Sequence, residues 1–388
     1  MNIFLKEAEE MEPFIIEFRH DLHMHPELSM KEFRTTGQVA KELDAIGIPY
    51  RRFEPSGLMA EIRGNLPGTR TIGLRADIDA LPIQETADVP YRSRTDGVMH
   101  ACGHDTHCAM LLGAVRLLAA HRDAFGGTVR AIFQPGEEGA GGAHTIIQQG
   151  AADGVDLFFG MHCSPLIPTG SLGCCEGAGL AATTVFTIRV HGLQAHGATP
   201  EASHDALLAA CQIVNNLQSI VSRRLAPQDP CVVTVGTIQA GDAFNIIPGE
   251  AVLTGTCRYF NRSYNTRIPE LMQEISSGVA SAYGCSAEVE YRIHTDVLSS
   301  DHHVCELVWT AADKILDFQA HPELKLDFKP MMAGDDFGEY TSLAPSAFFF
   351  LGLDGCGPGH NGNFQVRDDG LKIGAALFAQ TAVDALTE

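Results

Sequence analysis

Apolar and polar positions in the first half of the chain follow two alternating periods. Helical spacing of apolar side chains predicts helices over residues 4–23 and 35–45, and residues 106–120 are apolar enough for a buried helix. Short apolar runs predict buried strands over residues 71–75, 128–133 and 157–161. Helices that alternate with buried strands are typical of a mostly parallel, helix-covered sheet.

The pattern changes near residue 181. Predicted strands and helices then follow in the order β-α-β-β-α-β as far as residue 294, which is the ferredoxin-like order. A helix over 301–316, the apolar strand AFFFLGL and a closing helix near 371–385 return to the first pattern. The sequence therefore predicts a discontinuous α/β catalytic domain, residues 1–180 and 295–388, with an inserted ferredoxin-like α+β domain at 181–294.

The length and charge of the chain limit the number of domains and the classes of molecule that it can bind. The chain has 388 residues, long enough for two domains, and carries 48 acidic against 27 basic groups, a formal charge of −21. This charge disfavours binding to nucleic acid or an anionic membrane. Eleven scattered cysteines indicate reduced thiols, and the start MNIFLKEAEEMEPFII lacks the features of a signal peptide. We expect a cytoplasmic protein that binds neither nucleic acid nor a membrane.

Groups that bind metals cluster in a few short stretches. MHACGHDTH contains Cys102 and His104, and FQPGEEGAGGAH places Glu138 after a predicted strand. His162 in FFGMHCSP and His360 in GCGPGHNGNF also follow apolar strands. Since α/β sheets collect their chemistry at the carboxyl ends of strands, these five side chains are candidate ligands of one site. Five ligands suit two metal ions better than one, and a thiolate can bridge two ions.

Glu137 is not needed as a ligand in this set of five. Because it adjoins a candidate ligand, it can act as general base on water at the metal site. Glutamate pairs are also common on solvated turns, and lone histidines are more often hydrogen-bonded core or surface groups than ligands. We therefore expect His23, His100 and His107 to be ordinary structural histidines.

A resemblance to a known family rests on motifs that span nearly the whole chain. RHDLHMHPELSMKE, LRADIDALPIQE, MHACGHDTH, FQPGEEGAGGA, GMHCSP, HGLQAHGATP, FNIIPGEAVLTGTCR, AGDDFGEY and GHNGNF occur in the family's order. The chain resembles the dinuclear metal-dependent amidohydrolases and peptidases. They include aminoacylases, hippurate hydrolases, indole-acetyl-amino-acid hydrolases and N-acetyldiaminopimelate deacetylases, and more distantly carboxypeptidases and succinyl-diaminopimelate desuccinylases.

The resemblance implies roles for individual residues of the metal site. It assigns two divalent ions, manganese or zinc, to the ligands Cys102, His104, Glu138, His162 and His360. Glu137 is implied as general acid and base. A thiol among the ligands resembles one branch of the family, whereas carboxypeptidase-type members usually begin their set with His-x-Asp. Here that stretch contains Asp77 and Asp79, interpreted as carboxylates that orient ligands, with Asp79 counted among the catalytic residues.

Further roles fall on the inserted domain, which the resemblance implies is a lid that dimerises. His196 is implied as the donor that stabilises the tetrahedral intermediate, acting on the partner subunit's site. Asn245 and Arg258, together with His196, are implied to bind the substrate, whose carboxylate Arg258 can pair with. Asp335 and His204 depart from the family's usual residues, which leaves the shape of the pocket open. The expected assembly is a homodimer or a tetramer of dimers.

Three functions remain open at this point. The first is hydrolysis of N-acyl amino acids, with acetyl, benzoyl or similar acyl groups, to a carboxylic acid and a free amino acid. A dipeptidase or carboxypeptidase with the same dinuclear site is the second, distinguished by acceptance of a free α-amine on the acyl side. The third is a catalytically silent metal-binding or regulatory homologue, which predicts loss of Glu137 or of a ligand, and none is missing.

Overall fold

The computed structural model describes residues 2–388 in two compact units. One unit comprises the chain up to Gly177 with Ser299–Lys329 and Glu339–Glu388, and the other comprises Ala178–Leu298 with Pro330–Gly338. All eleven cysteines are free thiols. In the described part of the chain, no helix is both long enough and apolar enough to span a membrane.

The helices and strands are numbered along the chain. The first part contains α1 (Ile3–Met24), α2 (Phe33–Ala45), β1 (Tyr50–Arg52), β2 (Leu58–Arg63), β3 (Leu66–Asp77), α3 (His104–Ala120), β4 (Gly126–Gln134), α4 (Gly142–Gln148), β5 (Leu157–Ser164), β6 (Leu172–Cys174) and β7 (Gly177–Leu180). The middle contains β8 (Ala182–His191), β9 (Ala195–His196), α5 (Ala206–Ser219), β10 (Cys231–Ala240), β11 (Ile246–Ile247), β12 (Glu250–Tyr259), α6 (Tyr264–Ala282), β13 (Ser286–Thr295) and β14 (Leu298–Ser300). The last part contains α7 (His302–Leu316), β15 (Lys325–Asp327), α8 (Gly338–Thr341), β16 (Ser346–Gly352), β17 (Gly355–Cys356), β18 (Gln365–Val366) and α9 (Leu371–Thr387).

The first unit is built on an eight-stranded mixed sheet in the order β1-β2-β4-β3-β5-β16-β6-β15. Its four central strands, β4, β3, β5 and β16, run parallel, and β1 and β2 extend it antiparallel. The predicted α/β class with a mostly parallel sheet is therefore confirmed. All four central strands end at the same edge, which brings the loops that follow them together.

Buried helices support this sheet. Helices α1, α3 and α9 pack against one another, and α3 and α9 also contact β3. Side chains along almost the whole length of α3 are buried, which explains why this helix is apolar nearly all round. The start of α3 is consequently held by a close-packed core on which functional side chains can be fixed.

The second unit has a four-stranded antiparallel sheet in the order β10-β12-β8-β13. With α5 and α6 between the strands, the chain order is the predicted β-α-β-β-α-β. Strand β8 alternates along its length: Phe186 and Ile188 are buried with residues of the two helices, whereas Val185 is exposed. One face of the sheet is thus packed against helices, and β10 forms one edge.

Candidate metal centre

The candidate ligands lie at the carboxyl edge of the central strands. Glu138 follows β4, His162 lies within β5, and His360 follows β16. Cys102 and His104 stand at the start of α3, where Gly103 adopts φ 89°. A side chain at Gly103 would place its Cβ 2.3 Å from the Sγ of Cys163. Glycine is therefore required between the two ligands, for its backbone angle and for this close approach.

The structure brings all five side chains together. Nε2 of His162 lies 3.4 Å from Sγ of Cys102, and Nε2 of His360 lies 3.1 Å from Oε1 of Glu138. Nε2 of His104 lies 4.0 Å from the same Glu138 oxygen. Ligand atoms fall within 4.8 Å of one another in two triads that share the thiol: Cys102 with His104 and His162, and Cys102 with Glu138 and His360. A shared thiol between two triads is the arrangement that a bridging thiolate requires.

The charges in this pocket suit a cation. Burial raises the pKa of Cys102, but the positive charge of His162 and hydrogen bonds from neighbouring imidazoles bring it well below its usual value. Burial lowers the pKa of His162, and the Cys102 thiolate raises it well above its usual range. Hydrogen bonds to Cys102 and Glu138 raise the pKa of His360 to about 10. The thiolate and the carboxylate therefore attract positive charge in this pocket, and a bound cation would take the place of the imidazole protons, since histidine binds a metal in its neutral form.

His104 supplies an independent indication that a metal fits. Its ring is 1% exposed, and its Nδ1 lies 3.0 Å from Oδ1 of Asp79. Among residues 2–388, no oxygen or nitrogen atom forms a hydrogen bond with Nε2 of His104. An imidazole whose one nitrogen donates to a carboxylate and whose other nitrogen is buried without such a partner has the form of a metal ligand. The residues present thus fit a metal centre.

Asp79 links two of the ligands. Its Oδ1 accepts from Nδ1 of His104, and its Oδ2 accepts from the backbone N–H of Glu138 at 3.0 Å and from the hydroxyl of Ser29 at 2.6 Å. Hydrogen bonds from these donors outweigh burial and lower the pKa of Asp79. A single ionised carboxylate therefore orients an imidazole ligand and the turn that carries the glutamates.

His107 supports another ligand, a role that sequence reasoning did not give it. Its Nδ1 lies 2.5 Å from Oδ1 of Asp77, and its Nε2 accepts from the backbone N–H of Cys163 at 2.8 Å. Nδ1 of His162 in turn donates to the carbonyl of Cys163 at 2.7 Å, which leaves Nε2 of His162 directed at the thiol of Cys102. Only the position of His107, one helical turn after His104, hinted at this role in the sequence.

A buried ionic network holds the start of α3 against α1. The carboxylate of Asp105, the neighbour of His104, accepts from Nε of Arg19 at 2.8 Å and lies 2.9 Å from Nδ1 of His23. Burial raises the pKa of Asp105, but Arg19 and His23 bring it well below its usual range. His23 is thus a hydrogen-bonded core group, and the network fixes the helix that presents His104.

The second unit contains the remaining candidates. His196 on β9 and Ile246 on β11 are paired in register, and the carbonyl of Asn245 accepts from the backbone N–H of Gly197 at 2.8 Å. Nδ1 of His196 accepts from the backbone N–H of Ala198 at 3.0 Å, so in the neutral ring the proton is on Nε2. His196 is exposed, and it can therefore offer an N–H donor.

Arg258 lies on β12 of the four-stranded sheet, opposite Thr183 and Val232, and not on the two-stranded sheet formed by β9 and β11. Burial lowers the pKa of Arg258. Burial also lowers the pKa of His294, and the positive charges of Arg292 and Arg258 lower it further. This part of the sheet therefore carries clustered positive charge, which suits an anionic group.

Known proteins match the chain over almost its entire length. Residues 73–384 match the profile of peptidase family M20/M25/M40. A thermostable carboxypeptidase 2 of Saccharolobus solfataricus is 37% identical over 386 residues, which cover 97% of this chain and 96% of that protein. An N-acetylcysteine deacetylase of Bacillus subtilis is 36% identical over 377 residues, which cover 96% and 97% of the two chains.

A solved structure agrees with these sequence matches. The crystal structure of a Bacillus subtilis protein described as a dinuclear metal binding peptidase from the M20 family superposes with a TM-score of 0.85. The two chains are 34% identical, with 98% of this chain and 99% of the other covered. The predicted resemblance is thereby confirmed: the chain belongs to peptidase family M20/M25/M40, and it is a metal-dependent hydrolase of the amidohydrolase and peptidase type.

Proposed function

We propose that this hydrolase cleaves the amide bond of N-acyl amino acids, releasing a carboxylic acid and a free amino acid. The observation that carries the proposal is the position of Glu137, whose carboxylate lies within 4.8 Å of the ligand atoms of His104 and Glu138. A carboxylate beside the ligands is placed to move a proton between water and the leaving nitrogen. The relative that deacetylates N-acetylcysteine supports the choice of an acylated amino acid.

We infer that Cys102, His104, Glu138, His162 and His360 hold two divalent ions, manganese or zinc. Bound ions would polarise the amide carbonyl and make water more acidic. Thiolate and imidazole ligands favour zinc by softness, whereas relatives in the resembling branch are often manganese enzymes. The shared position of the Cys102 thiol in both ligand triads supports two ions rather than one.

In the proposed mechanism, the chain's own residues handle protons and charge. Glu137 accepts a proton from the attacking water and returns it to the nitrogen of the leaving amino acid. His196 donates its Nε2–H to the carbonyl oxygen as negative charge develops there. Arg258 and Asn245 hold the carboxylate of the substrate by charge-assisted hydrogen bonds.

The second unit is proposed to act as a lid and a dimerisation domain, and the enzyme as a homodimer or a tetramer of dimers. Supporting this, the edge strand β10 leaves Val232 41% and Ile238 43% exposed. An edge strand with unpaired backbone groups and exposed apolar side chains is a place where a second copy can pair. In such a dimer, His196 would complete the partner subunit's site.

A screen of substrates tests the proposed function. Purified enzyme loaded with manganese or zinc is assayed on N-acetyl, N-benzoyl and indole-acetyl amino acids and on dipeptides with a free α-amine. Faster hydrolysis of the acylated amino acids supports the proposal. Preference for the dipeptides would favour the second candidate, a carboxypeptidase or dipeptidase, which the 37% identity to a carboxypeptidase also supports. Metal binding without hydrolysis of any substrate would favour the third candidate, a catalytically silent metal-binding homologue.

A further inference from the structure

The motif PELSMKE near the N-terminus has no part in the proposed chemistry, yet it lies against the turn that carries the glutamates. Leu28 pairs with Ala80, and the hydroxyl of Ser29 donates to Asp79 at 2.6 Å. The last residue of the motif, Glu32, is fully buried. A buried carboxylate requires compensating hydrogen bonds, and one of those of Glu32 comes from the turn that carries the glutamates.

Glu32 bonds to three separate segments of the chain. Its Oε1 accepts from the backbone N–H of Gly136 at 2.9 Å and from that of Met30 at 2.9 Å. Its Oε2 accepts from the hydroxyl of Ser56 at 2.5 Å. Gly136 immediately precedes Glu137, so this carboxylate is bonded to the first peptide of the catalytic turn.

The same turn is shaped by a close contact with Met30. Gly136 adopts φ 65°, and a Cβ at this position would lie 2.6 Å from Sδ of Met30. Met30 itself adopts φ 62°, an uncommon angle for a residue with a side chain. Strain of this kind persists where surrounding bonds enforce it, and Glu32 supplies one of them by accepting from the N–H of Met30.

Two carboxylates therefore hold the turn by hydrogen bonds on either side of Glu137. Glu32 accepts from the N–H of Gly136, before Glu137, and Asp79 accepts from the N–H of Glu138, after it. Glu137 lies between these two fixed peptides, so the direction of its carboxylate depends on both bonds. Misplacement of a catalytic group by about 1 Å can lower a rate on the order of 100-fold.

We propose that Glu32 is a positioning residue that fixes the turn carrying Glu137 and Glu138 through its hydrogen bond to Gly136. The proposal rests on the role of Glu137 in the proposed function. It concerns hydrogen bonding and not charge, since a neutral acceptor at the same place would serve equally well. The proposed role belongs to Glu32 and not to Ser56, because Ser56 bonds to the other carboxyl oxygen and not to the turn.

Three variants test the proposal. Glu32→Asp keeps the charge but is about 1.5 Å shorter, so it cannot reach Gly136. Glu32→Gln keeps an acceptor for the two N–H groups, and its amide can donate to the Ser56 hydroxyl. Ser56→Ala is the matched control, because it removes a buried hydrogen bond of the same carboxylate and leaves the bond to Gly136 intact.

Two measurements are made on each variant. In the folded, metal-loaded enzyme, kcat should fall about 10- to 100-fold in Glu32→Asp with KM changed less than about twofold, while Glu32→Gln and Ser56→Ala keep the kcat of the wild type. In the metal-free protein, amide hydrogen exchange of the peptide covering residues 134–141 should be about tenfold faster in Glu32→Asp alone.

Several results would overturn the proposal. Wild-type kcat and exchange in Glu32→Asp, even with lowered thermal stability, would mean that Glu32 only stabilises the fold. Equal losses of kcat in Glu32→Gln and Glu32→Asp would mean that an acceptor bonded to the N–H of Gly136 does not hold the turn, which contradicts the proposal. If the wild type hydrolyses no amide, the proposed function fails, and the exchange measurement alone decides the role of Glu32.

Discussion

The carboxylate of Asp79 lies 3.0 Å from Nδ1 of His104, and both groups are buried. This contact fixes which nitrogen of the imidazole bears the proton and leaves Nε2 free of that proton. Because the same carboxylate also accepts from the N–H of Glu138, its orientation couples two candidate ligands. Metal affinity should therefore depend on Asp79, which itself need not touch a metal.

Asp79→Ala is expected to weaken metal binding about 10- to 100-fold, as is usual when the partner of a ligating histidine is lost. Titration of the metal-free protein with zinc or manganese against a chelator measures the change. Ser29→Ala serves as the control, since it removes one hydrogen bond to Asp79 and leaves the contact with His104 in place. Unchanged affinity in Asp79→Ala would show that His104 is held without this carboxylate, or is not a ligand.

Glu137→Gln should lower kcat by roughly 10²- to 10⁴-fold, because the amide has nearly the same shape but cannot accept a proton. The metal content should stay near that of the wild type, since Glu137 is not among the proposed ligands. Glu138→Gln provides the contrast: it should lose metal as well as activity. Steady-state kinetics and elemental analysis distinguish the two outcomes, and an active Glu137→Gln enzyme would exclude Glu137 as the proton carrier.

The sequence was sufficient for features that depend on local pattern. Glu138 and His360 could be selected because they follow apolar strands, and Cys102 because His104 stands two residues away; the structure places Cys102, Glu138 and His360 together. Strand β3 was predicted over residues 71–75 but spans Leu66–Asp77. Its first five residues are exposed, so they carry no apolar signal.

Contacts between distant segments could not be predicted in this way. Glu32 and Gly136 are 104 residues apart, and neither the period of the apolar positions nor a local motif specifies their hydrogen bond. The buried pairing of Arg19 with Asp105, 86 residues apart, is of the same kind. Such bonds arise when the sheet brings loops together, and their detail depends on side-chain packing that a single sequence does not encode locally.

Cys102 should be protected from alkylation in the metal-loaded enzyme and should react after chelation, because a bound metal occupies the thiolate. Iodoacetamide labelling followed by peptide mass spectrometry measures the modified fraction in each state. Cys211 is the internal control, since it is exposed and should be labelled equally in both states. Equal labelling of Cys102 with and without metal would remove it from the ligand set.

Stability should depend on pH through Glu32. Burial raises its pKa from 4.5 to about 7, so between these values the folded protein holds a proton that the unfolded chain has released. The free energy of unfolding should therefore fall as pH rises through this window. Glu32→Gln lacks this titration, so its stability relative to wild type should increase by up to about 3 kcal/mol from the lower to the upper end.

Urea unfolding of the metal-free proteins at several pH values measures this difference. Metal is removed so that pH-dependent metal binding does not change the free energy of unfolding. The ligand groups themselves titrate in the same way in both proteins. Parallel stability curves for the wild type and Glu32→Gln would show that the Glu32 carboxyl titrates in the folded state much as it does in the unfolded chain.

His196 is proposed to act in the partner subunit's site, and mixed dimers test this. Homodimers of His196→Ala and of Glu137→Gln should both be nearly inactive. In a mixed dimer, one subunit supplies Glu137 and the metal ligands while the other supplies His196, so one complete site forms. Random pairing after co-expression should then restore roughly a quarter of wild-type activity, since half the dimers are mixed and each has one working site of two.

Two different affinity tags isolate the mixed dimers and confirm that they form. The isolated species should have about half the activity of the wild-type dimer, because only one of its two sites is complete. As a control, a mixed dimer of His196→Ala with a wild-type subunit should also retain one site. Inactive mixed dimers, in a preparation where both tags are recovered together, would place His196 in its own subunit's site, because neither subunit alone would then hold a full set.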